Sequence, residues 1–400
     1  MKKPIKLSFN FSCLLVLFLL SSWNKKPNHE GLITVKNKLD FARKEVVSIT
    51  GNQLSVLVKG NNEKDLRITK EGTEEHVVLQ WIDYNQDGIS DALLFQAEVP
   101  RKSTATYKIV FDGKIPLAES KIKTYSRFVP ERTDDYAWEN NKVAFRTYGP
   151  DAQRRKEEKR PDGTLSSGID LWLKRTEQPI INKWYAEHVK KPGYYHIDHG
   201  DGYDPYHVGA SRGTGGTGIW ENQVLLVSKN FVTSKTITEG PLRTVFELTY
   251  APWSPYEVAE TKRISLDLDS NFSKFEITIN AKKQLPNYAT GITLHENKGK
   301  VNINKKEGWF RHSELIDGVF LGEGIVIDKR VLVDAFSNVS KTTDQSNLLV
   351  ITNPKKGILT YYAGFAWQKS GQIASESDWD ALLTKQAKIV ASPLKIRVKN

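Results

Sequence analysis

Strict alternation of polar and apolar residues constrains the fold of this chain most. Ile264, Leu266 and Leu268 alternate with polar residues, a turn follows at 269–271, and the alternation resumes over 275–279. Successive side chains of a strand point to opposite faces, so this pattern predicts two half-buried strands joined as a hairpin. A sheet with one apolar face buries that face against a second sheet, which predicts a sandwich.

Further strands are expected along the whole chain. Short apolar runs between polar turns predict them at 46–49, 54–58, 77–82, 107–111, 246–250, 318–327, 347–352 and 358–366. One helical pattern covers 378–383, with Ser377 as its N-cap. The prediction is an all-β fold: a large antiparallel β-sandwich with long functional loops and one short C-terminal helix. We expect an N-terminal β region over 23–120, continuous with the core, and a main sandwich over 121–400 that carries the site.

The first 22 residues have the pattern of a secretory signal peptide. Three lysines form a positive start, an apolar run follows over 14–20, and Ser21 and Ser22 close it. The apolar run is too short to remain as a membrane-spanning helix. Cys13 precedes this run, whereas a lipid-anchored cysteine would follow it. We therefore expect an exported, soluble periplasmic protein without a membrane anchor.

Composition narrows the choice of partner. Loss of the three signal lysines lowers the formal net charge by three, from +11 to +8. A basic exported protein suits anionic partners such as carboxylated or sulfated glycans, and export argues against nucleic acid. One cysteine and one methionine in 400 residues exclude a disulfide framework and a cysteine metal site.

An acidic turn over 83–91 matches the opening of a calcium loop. Oxygen-bearing side chains alternate in it, and a glycine follows the third; the predicted ligands are Asp83, Asn85, Asp87 and Asp91. The twelfth position is Leu94 rather than a bidentate glutamate, and the flanks resemble strands rather than helices. Calcium and a tight acidic β-turn without metal are both open, and the sequence requires no cofactor.

The stretch from Trp184 to Trp220 has the composition of a functional site. Four of the eight histidines lie between His188 and His207, mixed with tyrosines, aspartates and glycines. Imidazole and phenol groups give and take protons, and glycine lets the backbone bend around a ligand. The alternative is a long surface loop whose polar side chains satisfy local backbone groups.

Several common chemistries lack their motifs here. The sequence has no Gly-x-Ser-x-Gly elbow, no phosphate loop followed by Lys-Ser/Thr and no His-Glu-x-x-His pair. The glycine-rich run 213–218 lacks the βαβ pattern of a nucleotide site. A metal site formed by His196, His199 and His207 stays open, although their spacings match no helical pair.

Proton abstraction beside a carboxylate, followed by loss of a β-leaving group, fits the stretch best. The hydrogen at C5 of a uronic acid is acidic enough only when positive charge stabilises the neighbouring carboxylate, and Arg212 can supply that charge. His199 or His207 can act as the base, and a tyrosine can protonate the departing oxygen (Tyr195, Tyr203 or Tyr206). The predicted catalytic set is His199, His207, Tyr206 and Arg212.

Substrate-binding residues are expected in the same stretch and at two later histidines. Tryptophans offer flat apolar faces to sugar rings, and Trp184 and Trp220 bracket the polar loop. For the two later histidines a structural role is the alternative. The predicted binding set is Trp184, Tyr195, His196, Asp198, Asp204, Ser211, Trp220, His295, Arg311 and His312.

The run from His196 to Trp220, HIDHGDGYDPYHVGASRGTGGTGIW, resembles a family of exported proteins from polysaccharide-degrading bacteria, labelled as a domain of unknown function. The acidic turn 83–91 and the helix pattern 379–383 are similar as well. That family includes the ulvan oligosaccharide dehydratase, which removes water from a non-reducing-end glucuronic or iduronic acid linked to sulfated rhamnose. The resemblance covers nearly all of the mature chain.

The resemblance implies a carbon–oxygen lyase, a hydro-lyase acting on acidic, sulfated oligosaccharides such as ulvan fragments. The 4-hydroxyl would leave, and a 4,5-unsaturated uronyl end would remain. The fold is then expected to be a supersandwich of the mutarotase and lyase kind. The resemblance does not assign catalytic residues. A non-catalytic glycan-binding protein, a uronate epimerase and a polysaccharide lyase stay open as alternatives.

Overall fold

The structure is a computed structural model in which antiparallel strands are the main secondary structure. This confirms the all-β prediction. The described residues are 29–206, 208–342 and 344–399, with the backbone alone at 29 and 30. The signal-peptide pattern over 1–22 and the residue His207 lie outside these ranges. Within them, no helix is long and apolar enough to cross a membrane.

The N-terminal region has a core of its own. Its elements are β1 His29–Lys36, β2 Arg43–Thr50, α1 Gly51–Val58, β3 Leu66–Lys70, β4 Leu79–Ile82, β5 Ala92–Val99 and β6 Thr104–Phe111. Strands β2, β5 and β4 form one sheet, and β1, β6 and β3 pair in another. Side chains from both sheets, including Ile33, Ile68 and Phe95, share one buried apolar cluster.

Helix α1 occupies a segment for which the sequence pattern predicts a strand. Leucine and valine dominate the run 54–58, and such residues favour strands or buried elements in general. The buried pair, however, is Leu54 and Leu57, three residues apart and therefore on one helical face, while Val56 is 42% exposed. The strand prediction is wrong here, because packing of that face outweighs local propensity.

A five-stranded sheet opens the second part of the chain. It contains β7 Tyr125–Val129, β8 Asp135–Glu139, β9 Ala144–Thr147, β10 Asp170–Lys174 and β11 Gly202–Tyr203, in this spatial order. Two helices follow strands of this sheet along the chain: α2 Pro150–Glu157 follows β9, and α3 Ile181–Lys190 follows β10. Trp138 and Phe145 of this sheet are buried in the main apolar core.

Two further sheets complete the architecture. Their strands are β12 Thr214–Glu221, β13 Val224–Leu226, β14 Thr233–Thr238, β15 Arg243–Trp253, β16 Val258–Asp267, β17 Phe272–Asn280, β18 Tyr288–Thr293, β19 Lys300–Asn304, β20 Trp309–Ile316, β21 Val319–Ile327, β22 Leu332–Asn338, β23 Asn347–Thr352 and β24 Ile358–Trp367. One sheet has the order β14-β15-β16-β17-β24-β21-β20-β19, and the other has the order β13-β12-β18-β23-β22. The chain ends with helix α4 Glu376–Ala391 and strand β25 Lys395–Lys399.

The alternating pattern of β16 and β17 appears in the structure as predicted. The two strands pair antiparallel around the turn 269–271, and Ile264, Leu266 and Phe275 are buried. These side chains belong to an apolar core that also takes in residues of both five-stranded sheets. The sandwich prediction is therefore confirmed: the eight-stranded sheet covers its apolar face with the other two.

Strand β25 returns to the N-terminal region. It pairs antiparallel with β1, with Val398 opposite Ile33. Residues 395–399, which the sequence prediction places in the main sandwich domain, thus extend the N-terminal sheet instead. The division of the chain near residue 120 otherwise stays a prediction.

Helix α4 packs on the outer face of the eight-stranded sheet. Ser375, rather than the predicted Ser377, is its N-cap, and the Ser375 hydroxyl accepts a hydrogen bond from the Asp378 amide. Trp379 is buried, and its indole N–H donates to the backbone oxygen of Glu323 at 3.2 Å. Gly322 lies beneath this indole, where a Cβ would overlap the ring. The helix is longer than predicted, and three other helices accompany it in the described residues.

The substitution Gly322→Ala is expected to lower the free energy of unfolding by about 1–3 kcal/mol, the usual cost of overpacking. The added methyl group must displace either Trp379 or strand β21. Urea denaturation measures the effect. The double variant Gly322→Ala/Trp379→Leu should lose less stability than the sum of the two single variants. Simple additivity would show that the contact between the two residues is not the cause.

Candidate functional site

Strand alternation brings three polar side chains to the inner face of the eight-stranded sheet. His312 and Glu314 are two residues apart in β20, so they share a face. Glu323 of β21 lies opposite His312 in the pairing register, and Glu323 Oε2 is 2.9 Å from His312 Nδ1. Arg311 precedes the inward-facing His312 in the strand and therefore points outward. Its guanidinium donates a hydrogen bond to Asp380 of α4. The sheet alone thus assembles one histidine and two glutamates.

Two loops and one strand end add to this group. The Tyr206 hydroxyl donates to Glu314 Oε1 at 2.6 Å, and the Tyr206 ring stacks on His295 with ring centroids 4.3 Å apart. His295 Nδ1 is 2.6 Å from the same Glu314 oxygen, and the Thr214 hydroxyl donates to Glu323 Oε1. We call the following four residues the His–Glu cluster: His295, His312, Glu314 and Glu323.

The His–Glu cluster is closed on one side and open on the other. The side chains of His312 and Glu323 are 1% and 2% exposed, whereas those of His295 and Glu314 are 23% and 16% exposed. Tyr206 is half-buried beside the more open pair. The solvent-exposed side of the cluster is therefore formed by His295, Glu314 and Tyr206.

Charges inside the cluster shift the pKa values of its members. Burial lowers the pKa of His295, but Glu314 and Glu323 outweigh burial and the net pKa is raised. Burial raises the pKa of Glu314, yet the close contact with His295 and the charge of that ring prevail, and the net pKa is lowered. Burial and the two glutamates raise the pKa of Tyr206 well above its ordinary value. The phenol therefore carries its proton at neutral pH.

The cluster also has the donor set of a metal site. One ligand atom from each of the four residues lies within 4.8 Å of all the others. Imidazole nitrogens and carboxylate oxygens are common metal ligands in proteins. The arrangement can therefore hold a cation, and its phenol neighbour can deliver a proton.

Much of the stretch 184–220 supports the fold rather than facing solvent. Arg146 of β9 is buried and pairs with Asp170 at 2.5 Å and with Asp204 at 2.8 Å. The Tyr195 hydroxyl accepts a hydrogen bond from Arg146 at 3.1 Å, and Trp184 packs on a neighbouring tryptophan. Trp184, Tyr195 and Asp204 are each only 1% exposed. Their burial contradicts the predicted direct contact with substrate.

Exposed imidazoles of this stretch bond back onto the loop. His196 Nδ1 is 2.9 Å from the backbone oxygen of Asp204, which leaves its Nε2 free. His199 stacks on Tyr194 with ring centroids 4.0 Å apart, and its Nε2 is 3.2 Å from the Tyr194 oxygen. The predicted roles of His196 and His199 stay predictions, and His207 lies outside the described residues.

Asp198 fixes the loop to the rest of the protein. It accepts hydrogen bonds from the amides of Gly200 and Gly202, and it pairs with Lys369 at 2.9 Å and with Arg175 at 3.2 Å. Burial raises the pKa of Asp198, but these donors outweigh it and lower the pKa to about 2. The carboxylate thus has a structural use, and its predicted contact with substrate stays a prediction.

The substitution Asp198→Asn is expected to lower stability at neutral pH but not in strong acid. A carboxyl whose pKa falls from 3.8 to about 2 on folding contributes stability above about pH 4, and this contribution is lost as the pH falls through about 2. Urea denaturation of both proteins at neutral pH and near pH 2 measures the difference. A stability difference of equal size at both pH values would exclude the carboxylate charge as its source.

Arg212 lies inside the sandwich. It is 2% exposed, and its guanidinium donates to the Ser167 hydroxyl at 2.9 Å and to the Thr217 oxygen at 3.2 Å. Burial lowers the pKa of Arg212 to about 10. The predicted role of Arg212, neutralising a substrate carboxylate, is incompatible with this position, because the sheets on either side cover the guanidinium.

Three other predicted binding residues also face the interior or another element. Ser211 is 4% exposed. Trp220 is half-buried and packs on Phe336 of β22, so it does not bracket the loop with Trp184. Arg311 is 5% exposed and pairs with α4. Binding of substrate by these three is therefore not supported by their positions.

The acidic turn over 83–91 bonds to itself. Asp83 accepts hydrogen bonds from three backbone amides within the turn, and Asp91 accepts one from Tyr84 at 2.7 Å. Asn85 and Asp87 bond to each other at 3.0 Å. These are the contacts of a tight turn held by side-chain oxygens. They favour the metal-free alternative, and calcium binding stays a prediction.

Comparison with known proteins gives the chain its family. A family described as a domain of unknown function, DUF4861, matches residues 35–396. The chain belongs to the DUF4861 family. It is also 44% identical over 387 residues to "Uncharacterized protein P7" of Formosa agariphila, across 95% of this chain and 96% of that protein.

The DUF4861 chain also shares its fold with a larger solved structure. A protein in the glycosyl hydrolase family 38 from Enterococcus faecalis superimposes with a TM-score of 0.51 at 10% sequence identity. The match covers 94% of this chain and 48% of the other, so the chain spans about half the length of that structure. At this identity the likeness shows the fold alone.

Sequence reasoning missed two members of the His–Glu cluster, Glu314 and Glu323. A signal existed for Glu314, which follows His312 by two residues and shares its face if the segment is a strand. Glu323 is an acidic residue at the centre of a predicted apolar strand, between two glycines. Thr214 gave no signal. His295 and His312, both predicted to bind substrate, do lie in the cluster.

A groove of about 1200 Å³ lies on the opposite face of the eight-stranded sheet, against β2 and α4. Its charged walls are largely paired, Arg243 with Asp267 at 2.5 Å and Lys44 with Asp269 at 3.4 Å. Paired charges leave little net field for a ligand. The groove is large, but its walls do not include the proton-transfer groups of the His–Glu cluster.

Proposed function

We propose that this DUF4861 protein is a hydro-lyase that removes the 4-hydroxyl and H5 as water from a uronic acid. The uronic acid stands at the non-reducing end of acidic, sulfated oligosaccharides such as ulvan fragments, and the product carries a 4,5-unsaturated uronyl end. The resemblance of the run 196–220 to the ulvan oligosaccharide dehydratase supports the substrate class. The basic charge of the chain supports an anionic glycan. The proposal includes export to the periplasm.

The reaction places three demands on the protein. A base takes H5, an acid protonates the departing 4-hydroxyl, and positive charge stabilises the carboxylate while negative charge spreads onto it. Both proton-transfer groups must lie within about 3 Å of the atoms that they serve. Asp204 provides a means of arranging them, because it binds one candidate for each role.

Asp204 bonds both to the His196 ring and to the backbone of Tyr206, and this observation carries the proposal. The backbone oxygen of Asp204 lies 2.9 Å from His196 Nδ1. The Asp204 carboxylate accepts a hydrogen bond from the backbone N–H of Tyr206 at 3.1 Å. Burial lowers the pKa of His196, so the ring is neutral at neutral pH and its Nε2 can take H5. Tyr206, which keeps its proton, gives it to the departing 4-hydroxyl.

The remaining contacts position the acid. Glu314 accepts a hydrogen bond from the Tyr206 hydroxyl, and the His295 ring stacks on the phenol ring. The phenol therefore has one orientation, at the more open side of the His–Glu cluster. Water forms from the 4-hydroxyl and the phenolic proton, and the proton taken by His196 returns to the phenolate through solvent. Substrate loses one H and one OH, and the enzyme is restored.

One assay tests the proposal. The mature protein is incubated with saturated uronyl-rhamnose-sulfate oligosaccharides, while absorbance of the conjugated alkene and product mass are followed. We expect absorbance to rise and each product to lose the mass of one water without chain cleavage. Cleavage would show a polysaccharide lyase, unchanged mass with altered stereochemistry an epimerase, and binding without reaction a glycan-binding protein. Each of these three outcomes overturns the proposal.

A further inference from the structure

We infer that the His–Glu cluster binds one divalent transition-metal cation of the zinc class, with His295, His312, Glu314 and Glu323 as its ligands. This site is distinct from the acidic turn 83–91, whose oxygens bond to their own backbone. The inference stands on the positions of the donor atoms, on an unusual contact between two of them, and on the charge of the group.

The four donors converge as metal ligands do. Nitrogen and oxygen ligands lie about 2.0–2.2 Å from Zn²⁺, so two ligands of one ion are at most about 4.4 Å apart. The four donor atoms of the cluster lie within 4.8 Å of one another, and small side-chain adjustments bring them to that limit. They come from a loop and from two adjacent strands, so the fold assembles them from three separate segments between residues 295 and 323.

The contact between His295 and Glu314 is not an ordinary hydrogen bond. His295 Nδ1 and Glu314 Oε1 are 2.6 Å apart, yet Nδ1 is buried and makes no hydrogen bond of acceptable geometry. The two lone-pair-bearing atoms lie side by side, as two ligands of a shared ion do. His295 also has a φ of 45°, a left-handed conformation that is rare for residues other than glycine and frequent at functional sites.

Outer contacts hold both carboxylates in place. The Tyr206 hydroxyl donates to Glu314 at 2.6 Å, and the Thr214 hydroxyl donates to Glu323. Hydrogen bonds of this kind orient metal ligands and are typical of built metal sites. Glu323 is further fixed from the far side, because its backbone oxygen accepts the indole N–H of Trp379.

The charge of the cluster also calls for a cation. In the described residues no lysine or arginine pairs with Glu314 or Glu323, whose only ion-pair partners there are His295 and His312. With neutral imidazoles the group carries two negative charges, which would repel an acidic substrate. A bound divalent ion balances them and can receive the uronate carboxylate, the role for which Arg212 is too deeply buried. This last step rests on the proposed function, whereas the donor geometry does not.

The ligand types select the metal class. Two imidazoles and two carboxylates suit Zn²⁺ and its first-row neighbours such as Co²⁺ and Mn²⁺. Calcium and magnesium prefer sets made of oxygen alone, with six or more ligands for calcium. The cluster therefore differs in chemistry from the calcium loop that the sequence suggested.

Metal titration of the mature, tag-free protein tests the inference without any substrate. After dialysis against a chelator, ZnCl₂ and CoCl₂ are titrated by calorimetry, and bound metal is counted by mass spectrometry. We expect one ion per chain and a visible Co²⁺ absorption band from the mixed nitrogen and oxygen ligands. His295→Asn and Glu314→Gln should each weaken binding by about 100-fold or more, in line with the sensitivity of such sites.

Matched controls lie in the N-terminal region. His76→Asn removes an imidazole bonded to Thr69, and Glu98→Gln removes a carboxylate paired with Lys70; both should bind metal as wild type does. A thermal melt of each variant shows that it is folded. As a second readout, ZnCl₂ should raise the melting temperature of the wild type by a saturable amount.

Absence of binding to the wild type, or equal binding by wild type and both cluster variants, overturns the inference. Because metal binding is measured without turnover, it can fail while dehydration is observed. Metal binding can equally be observed while no dehydration is found. That result would overturn the proposed function and support the metal site.

Discussion

Replacement of Tyr206 by phenylalanine is expected to lower kcat for dehydration by about 10²- to 10⁴-fold, the range contributed by a general acid. The substitution keeps the ring and its stacking on His295, and it removes only the hydroxyl that donates to Glu314. The initial rate of alkene formation at saturating oligosaccharide measures the effect.

Tyr256→Phe is the matched control for this experiment. The Tyr256 hydroxyl also donates to a glutamate, Glu221, at 2.6 Å, but that pair lies outside the proposed site. We expect wild-type kcat for Tyr256→Phe. If Tyr206→Phe kept wild-type kcat, Tyr206 could not be the acid, and the assignment of roles would fall even if the protein dehydrated its substrate.

Replacement of Arg146 by methionine is expected to lower the free energy of unfolding by about 3–5 kcal/mol, the cost of breaking a buried ion pair from one side. Arg146 is buried and neutralises Asp170 and Asp204, with Asp135 at 3.6 Å. Without the guanidinium these buried carboxylates have lost their main counter-charge. Chemical denaturation monitored by tryptophan fluorescence measures the change.

The double variant Arg146→Met/Asp170→Asn should recover part of the stability lost by Arg146→Met, because it removes one of the stranded charges. Arg154→Met serves as a surface control, since Arg154 lies in the exposed part of α2 and should tolerate substitution. A loss for Arg146→Met no larger than that for Arg154→Met would show that the buried aspartates do not depend on this arginine.

Local pattern was sufficient to predict the strands of the main sandwich. The period of two in β16 and β17 leaves one face apolar, and any fold must cover that face. The same reasoning failed over 54–58, where five leucine, serine and valine residues fit a strand and a helix equally well. There the buried spacing of Leu54 and Leu57 decided for a helix, and that spacing depends on what the segment packs against.

The candidate site was only partly predictable. Tyr206 was singled out because it lies in a stretch rich in proton-transferring side chains, and His295 and His312 were singled out as further candidate imidazoles. Glu314 and Glu323 were missed, because their meaning depends on strand pairing, and the sequence patterns predicted no strand over 309–316 whose register could set His312 opposite Glu323. Arg212 was chosen for its charge and neighbours in sequence, yet the sheets enclose it.

Periodicity and composition are local, so the amino-acid sequence was sufficient to predict half-buried antiparallel strands and to show that four of the eight histidines lie between residues 188 and 207. Which side chains of that stretch reach solvent, and which balance charge inside the protein, depends on the packing of the folded chain. Asp204 was predicted to bind substrate, but Arg146 gathers it, together with Asp170, into the interior. The burial of a side chain depends on contacts between segments that are distant in sequence, and a local sequence pattern does not specify those contacts.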